Sequence, residues 1–487
     1  MTFSRRDFLK TSGVAASALA LGWHRLVDAG NRLYARDDAA AMGDVGQPVP
    51  TVLAAWAGDA LQSSVLVSAL TDGFKAVGIA VSVNANMDAA TFYPPSKPDA
   101  TGWNRFTLTG LAPGTLYHWQ VTDSPTGHGA ERIGAVSHVR TLRPVGLACT
   151  TRIAVGSCKQ PTPSSTAAWD DIAAWRPDRV MDLGDFGYPN DLTTDVATHI
   201  QNWTVNAQDA GRKKVQALCA VDYIASDHDT NDSAQSSSNP PNYKDPVTSA
   251  NLAAWQQVVP ARMEDTQSPK HGRWRAEVEG NVRFIKLDTR SLDRSDNVRK
   301  PTDPRSPTST MLGATQLAWW KGQIRAAAAA RQLVVMFSDP DWNGVSPGPP
   351  IPRTYSDKWP SYIYERDLMS DFAASLLGPN LFIAYGDSHI LQQDDGTNEK
   401  NGFASICCGP FHQNLHAHFQ NSVQWNYPDG VAQAEGKNRN AMQYQRLTIT
   451  QRPGSSTVTV TAEARDCTPK VSGTPLTVRT MTKTYTL

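Results

Sequence analysis

Short apolar segments that end in chemically reactive side chains constrain the fold most strongly between residues 152 and 389. They alternate with stretches of helical spacing, a pattern that is typical of an α/β fold with a parallel sheet. Because loops after parallel strands emerge at one edge of the sheet, where ligands bind, we expect their side chains to converge. The segments end at Cys158, Asp185, Asp227-His228-Asp229, Asp339 and Asp387-Ser388-His389.

The segment 179–190, RVMDLGDFGYPN, illustrates this arrangement. Its apolar part, residues 180–183, predicts a buried strand that stops abruptly at Gly184-Asp185. A glycine before the aspartate lets the backbone or a metal ion approach closely. Asp185 is therefore a candidate site residue, and Tyr188 follows it in the same loop.

The charges at these strand ends predict a metal site. Carboxylates that lie close together repel each other strongly when no Lys or Arg in the same loops neutralises them. A bound multivalent cation removes this repulsion, so we expect a cation where the strand ends meet.

The same periodicities predict the other elements of this region. Helices are expected at 164–175, 195–218 and 312–331. Three alternating segments after Tyr444 predict strands that close the second sheet. The expected strands that precede them lie at 152–155, 180–183, 220–225, 282–287, 333–337 and 381–385.

The N-terminus has the pattern of an export signal. Ser4-Arg5-Arg6-Asp7-Phe8-Leu9-Lys10 precedes a mild, Ala-rich apolar run at 13–22. This looks like a twin-arginine signal, read by the twin-arginine export machinery, and we assign residues 1–42 to the signal peptide and leader. The apolar run is too short for a stable membrane span, so no stable membrane anchor is expected. The predicted location is periplasmic or extracellular.

Residues 49–144 predict a separate all-β domain. Short alternating runs with turns every eight to twelve residues are typical of a β-sandwich. The segment 106–121, FTLTGLAPGTLYHWQV, resembles the turn of fibronectin type III domains in which a tyrosine, here Tyr117, locks the corner. We find no ionisable cluster in this domain and expect it to be structural or a wall of the site.

Composition excludes several classes of protein. A chain of 487 residues is too long for one ordinary domain. A formal net charge of +0 and a pI near 7.2 argue against a broad nucleic-acid-binding surface. The six Cys contain no C-x-x-C pair, so neither a disulfide framework nor a zinc-type cluster is expected.

The motifs of the α/β region together resemble a known family. In chain order they are GSC, GDFGY, SDHD, LDTR, LGATQ and YGDSH. This order is similar to that of the PhoD-like alkaline phosphatase/phosphodiesterases, a branch of the metallophosphoesterase superfamily. The resemblance implies a four-layer α/β/β/α sandwich over residues 150–487, with a polynuclear metal centre.

The resemblance also implies a ligand set. Cys158, Tyr188 and His389 would bind Fe3+, and Asp185 would bridge it to Ca2+. The calcium sites would be completed by Asp387 and by Asn231 or Asp232. Thiolate and phenolate suit Fe3+, while carboxylate and amide oxygens suit Ca2+, although Mn2+, Zn2+ or Mg2+ are alternatives.

The implied activity is hydrolysis of a small phosphoester. A metal-bound hydroxide would attack phosphorus in line, Asp185 would take part through the metals, and the cations would neutralise the charge that develops. His228 would lie beside the phosphate and stabilise the transition state or protonate the leaving oxygen, with Asp229 also near the substrate. Two alternatives remain: a phospholipid-directed phosphodiesterase of the phospholipase D type, and a non-catalytic extracellular binding protein on a degenerate metallophosphatase fold.

Overall fold

The computed structural model describes residues from Pro50 to Leu487, which form one compact unit, apart from the gaps given below. The predicted signal and leader, residues 1–42, therefore lie outside the described residues. These residues are 50–123, 132–160, 166–186, 193–230, 246–264, 272–291, 293–295, 305–343, 357–414, 427–428, 440–468 and 475–487.

The first strands form two small sheets that face each other. Alternate residues such as Val65, Ile79 and Trp119 fill a shared core between the sheets, as a β-sandwich requires. The amide of Ala112 donates to Tyr117 Oη at 2.8 Å, so the tyrosine closes its turn. One sheet contains β1 (Thr51–Gly58), β2 (Ser64–Asp72) and β5 (Trp103–Thr109); the other contains β3 (Val77–Ser82), β4 (Thr91–Ser96), β6 (Leu116–Thr122) and β7 (Arg132–Arg140).

The third sheet begins with three parallel strands, β8 (Thr150–Lys159), β9 (Arg179–Asp182) and β10 (Ala220–Tyr223). Three antiparallel strands extend it on the other side of β8: β20 (Gln443–Gln451), β21 (Thr457–Asp466) and β22 (Leu476–Thr486). The placement of these C-terminal strands on the second sheet was wrong, because β20 pairs directly with β8. The short strands β17 (Pro410–Asn414) and β19 (Asn440–Ala441) join the end of β8.

The fourth sheet has four parallel strands in the order β12 (Val282–Lys286), β13 (Leu333–Ser338), β14 (Leu381–Tyr385) and β16 (Ala404–Cys408). Antiparallel strands flank them, β11 (Arg275–Glu279) beside β12, and β15 (Leu391–Asp394) and β18 (Tyr427–Pro428) beyond β16. The predicted strands therefore exist, with ends that move by a few residues.

The two large sheets pack face to face, and helices cover their outer faces. Alternation along β13 shows the reason: Val335 and Phe337 enter the core between the sheets, while Val334 and Met336 pack under helices. The layer order is thus helix, sheet, sheet, helix. The helices are α1 (Ala167–Trp175), α2 (Val196–Ala207), α3 (Ala210–Gln216) and α4 (Pro246–Val258) on one side, and α5 (Gly313–Ala329) and α6 (Ile363–Leu377) on the other.

The predicted helix at 195–218 is in fact two helices, α2 and α3. The break occurs at Asp209, whose carboxylate accepts from the amide of Arg212 at 3.0 Å and so caps α3. Sequence periodicity did not predict α4 or α6.

A buried ion cluster connects the β-sandwich to the α/β part. Asp59, at the end of β1, is 1 % exposed and accepts from Arg275 Nε at 2.6 Å and Lys286 Nζ at 3.2 Å. A lone buried carboxylate would be costly, so these cations make the contact specific. The boundary predicted between residues 144 and 150 stays a prediction, because 50–487 forms one compact unit.

Candidate metal centre

The C-terminal ends of β8, β9 and β14 bring three side chains together. The ligand atoms of Cys158, Asp185 and His389 all lie within 4.8 Å of one another. A second group of the same kind contains Asp185, Asp227 and His228, which follow β9 and β10. Asp185 is the residue that the two groups have in common.

The backbone at these residues is strained. Cys158, Asp185, Asp387 and His389 have φ angles of 56°, 63°, 62° and 52°, in the left-handed region that non-glycine residues avoid. Each such conformation costs on the order of 1–3 kcal/mol and persists only where the surroundings enforce it. Strain at all of these positions is the pattern found at functional sites.

Asp229 holds the loop that carries Asp185. Its carboxylate accepts from the amides of Asp185 at 2.7 Å, Phe186 at 2.8 Å and Ser226 at 3.0 Å. Both oxygens are engaged and the residue is fully buried. These bonds give Asp229 a positioning role, and the predicted contact with substrate stays a prediction.

Gly184 must be glycine for this loop to form. Its φ is 102°, and an added Cβ would lie 2.4 Å from Ser226 Cβ and 2.6 Å from the Ser226 amide nitrogen. We expect Gly184→Ala to lower the free energy of unfolding by more than about 2 kcal/mol, measured by chemical denaturation.

The matched control for this substitution is Gly322→Ala in α5, where an added Cβ meets no atom within 4 Å. Because position 322 is exposed and lies inside a helix, this change should raise the free energy of unfolding by about 0.5–1 kcal/mol. Equal stability changes in the two variants would contradict the requirement for glycine at position 184.

The electrostatics of the first group call for a cation. Burial raises the pKa of Asp185 well above its usual range, and the charges of Asp227, Asp387 and Asp229 raise it further. Burial likewise raises the pKa of the Cys158 thiol, with added contributions from Asp185 and Asp387. A metal ion reverses these effects because it stabilises the ionised thiolate and carboxylate.

The donor set fits a transition metal. A thiolate, an imidazole and a carboxylate together suit iron or zinc better than a hard cation alone. His389 Nδ1 lies 2.8 Å from the carbonyl oxygen of Asn414, which orients the ring as in many metal sites. When Nδ1 donates to this carbonyl, Nε2 carries the lone pair that a metal would need.

His228 lies at the edge of the second group. Its side chain is 24 % exposed, its amide donates to Asp185 Oδ1 at 3.2 Å, and its Nε2 is 4.0 Å from Asp227 Oδ2. Asp227 was not assigned a role from the sequence, although its place in the Asp-His-Asp run signalled it. Tyr188, Asn231 and Asp232 lie outside the described residues, so their predicted roles stay predictions.

The centre also contains two cationic side chains, Arg290 of the LDTR motif and Lys358, neither of which was predicted to lie there. Arg290 is fully buried; its Nε donates to Asp339 at 2.5 Å, its Nη1 to Asp357 at 2.6 Å, and its Nη2 to Asp387 at 3.4 Å. Lys358 Nζ donates to Asp387 Oδ2 at 2.5 Å. The sequence argument considered cations only within the same loops, whereas these come from other segments.

The LDTR and LGATQ motifs hold Arg290 in place. Arg273 donates to both oxygens of Asp288, at 2.8 Å and 2.7 Å. Gln316 on α5 accepts from the Asp288 amide and donates to its carbonyl, both at 2.8 Å. Asp288 and Gln316 are therefore structural parts of the motifs, and Arg290 is the part that reaches the centre.

Solved structures share this fold. A structure of PhoD superposes with a TM-score of 0.72 and 19% identity, covering 92% of this chain and 92% of that chain. The purple acid phosphatase PPD1 from yellow lupin (Lupinus luteus) seeds has a TM-score of 0.58 and 12% identity, covering 89% of this chain and 74% of its own. No curated protein sequence matches the chain significantly. The chain thus shares its fold with these two structures.

The family follows from the sequence itself. The profile of the PhoD-like phosphatases matches residues 153–468, and the chain belongs to this family. It is therefore a phosphoric ester hydrolase, as the motifs predicted.

A twin-arginine translocation signal matches residues 2–22, so the protein is exported. No helix among the described residues is both long and apolar enough to cross a membrane.

Proposed function

We propose that this protein is an exported, metal-dependent hydrolase of phosphomonoesters or phosphodiesters whose reaction takes place at Asp185. The observation that carries this proposal is the shared position of Asp185 in two groups of potential ligands, at the convergent ends of parallel strands. Two cations joined by one carboxylate are a recurrent arrangement for displacement at phosphorus.

The first cation would be Fe3+, held by Cys158, Asp185 and His389, with Tyr188 as a further ligand. The second would be Ca2+, or Mn2+, Zn2+ or Mg2+, held by Asp185 with Asp227 and with Asn231 or Asp232. When bound, these ions would supply Lewis-acid activation of water and neutralisation of charge at the phosphoryl oxygens.

The chain's own residues orient the substrate and move the proton. His228 is the partly exposed imidazole beside Asp185, so it would donate a hydrogen bond to a phosphoryl oxygen or a proton to the leaving oxygen. Asp227 Oδ2 lies 4.0 Å from its Nε2 and would help to orient the ring. Asp229 would hold the Asp185 loop in position by accepting from its backbone amides.

The N-terminal part would be a fibronectin type III-like domain at 49–144 that supports the phosphatase domain at 150–487. The closed turn at Tyr117 and the β-sandwich core support this proposal. Its buried contact through Asp59 suits a structural role.

The deciding experiment combines metal analysis with substrate comparison on the full chain. Aryl monoester, bis-aryl diester and phospholipid are assayed with and without added Ca2+, and iron is measured by mass spectrometry. We expect iron in the purified protein and hydrolysis of an aryl ester. A folded, colourless protein without metal or activity would contradict the proposal, and a marked preference for phospholipid would favour the lipid-directed alternative.

Cys158→Ala tests the iron ligand set. The variant should lose its iron and any thiolate-to-iron absorption band, with activity reduced by at least about 10²-fold. Cys149→Ala is the matched control, because Cys149 precedes β8 and is only partly buried. Iron content equal in both variants would remove Cys158 from the ligand set.

A further inference from the structure

Asp387 does not fit the calcium ligand that the family resemblance implies. Its Oδ2 accepts from Lys358 Nζ at 2.5 Å and from Arg290 Nη2 at 3.4 Å. Calcium lies 2.3–2.6 Å from its oxygen ligands. The Lys358 ammonium nitrogen lies at the same distance from Oδ2, so it stands where a calcium ion bound to that oxygen would stand. Two positive side chains thus already neutralise this carboxylate through Oδ2, so little negative charge is left to attract a divalent cation.

A third cation at this point would be strongly disfavoured. Like charges a few ångströms apart repel by several kcal/mol in a partly buried site, and a divalent ion doubles the effect. The charges of Asp341 and Asp357 attract Lys358 as well, so the ammonium is held from more than one side. Displacing it would leave a buried charge without its partner.

The two cations at Asp387 differ in accessibility. The Arg290 side chain is fully buried and connects three carboxylates, so it acts on structure. The Lys358 side chain is 20 % exposed and comes from the residue before the 3-10 turn Trp359–Tyr362. Lys358 is therefore the one of these two cations that solvent reaches.

We propose that the ammonium of Lys358 replaces a calcium ion at Asp387, so that this side of the centre carries a covalently tethered positive charge. The proposal rests on the metal centre proposed above and narrows its metal content. In this proposal calcium binds at Asp185 and Asp227, and Asp387 is not one of its ligands. Lys358 supplies one fixed charge towards the phosphoryl oxygens that does not dissociate when calcium is scarce.

The test measures calcium binding to the iron-loaded full chain by titration calorimetry. Lys358→Met removes the charge and keeps the length of the side chain, whereas Lys358→Arg keeps the charge. Lys400→Met is the matched control, since Lys400 forms an exposed pair with Asp371 at 2.7 Å. Iron content is measured separately in every variant.

We expect Lys358→Met to bind an additional calcium ion, or to bind calcium at least about tenfold more tightly, while Lys358→Arg and Lys400→Met behave as wild type. Calcium binding by Lys358→Met equal to that of wild type would overturn the proposal. Absence of iron in the wild type would instead contradict the proposed metal centre, so the two failures are distinguishable.

A second arm uses the wild-type lysine and does not depend on the folding of Lys358→Met. Asp387→Asn should leave the calcium affinity of the protein unchanged, because Asp387 is not a calcium ligand in this proposal. Loss of calcium binding in Asp387→Asn would overturn it.

Discussion

Replacing Asp185 by Asn is expected to lower kcat/KM for a phosphoester by at least about 10³-fold, because the variant loses the only carboxylate shared by both ligand groups of the described residues. Asn has the shape of Asp but contributes no negative charge to hold two cations. Activity is measured on the aryl ester that the wild type hydrolyses best, after loading with the same metals.

The metal-free Asp185→Asn protein should be as stable as metal-free wild type or more stable. Asp185 is fully buried beside Asp227, Asp387 and Asp229, whose charges disfavour its ionised form. Asn removes that conflict, and its side-chain oxygen can still accept from the His228 amide that now donates to Asp185 Oδ1. Loss of activity with gain of stability is the mark of a residue retained for function.

The control for this prediction is Asp371→Asn, which changes an exposed carboxylate on α6 with 54% of its side chain accessible. It should change neither activity nor the free energy of unfolding beyond about 0.5 kcal/mol. A strong loss of stability in metal-free Asp185→Asn would instead assign Asp185 a structural role.

Arg290→Met is expected to cost about 3–5 kcal/mol of stability, since it leaves buried carboxylates without their cation. Asp339 is fully buried and accepts from Arg290 at 2.5 Å, and Asp357 accepts from it at 2.6 Å. Burial raises the pKa of Asp339 well above its usual range even with Arg290 present. The measurement is denaturant unfolding of the metal-free protein.

A double variant separates charge from packing. Arg290→Met combined with Asp339→Asn should recover part of the lost stability, because one of the stranded charges is removed. Arg325→Met is the matched control on the exposed face of α5, where the guanidinium lies over the Phe372 ring at 5.1 Å, and it should cost no more than about 1 kcal/mol. An Arg290→Met protein as stable as Arg325→Met would refute the role of Arg290 as the cation of the cluster.

The strand ends were predictable because hydrophobic runs and the residues that stop them are local properties. Cys158, Asp185 and His389 each follow a recognisable apolar strand, and parallel order places such ends at one edge. The placement of the last strands failed, because no local signal tells β20 to pair with β8 rather than with the other sheet.

For the same reason the sequence did not predict Lys358 as part of the centre and did not place Arg290 there. Lys358 precedes a short 3-10 turn and follows no apolar strand, and the role of Arg290 depends on carboxylates from the ends of β13 and β14. Asp357 lies next to Lys358 in a segment without periodicity. Such ion-pair partners can be identified only from the tertiary structure, in which distant segments of the chain meet.

By itself the sequence determined the export signal, the family and the strand-terminal candidate ligands, because each of these depends on a contiguous motif. The tertiary structure alone decided which candidate ligands lie together, that Asp229 accepts from backbone amides, and that Lys358 and Arg290 both reach Asp387. The physical reason is that sheet order brings together groups far apart in the chain. The interactions of their charges depend on distances that cannot be derived from the local sequence.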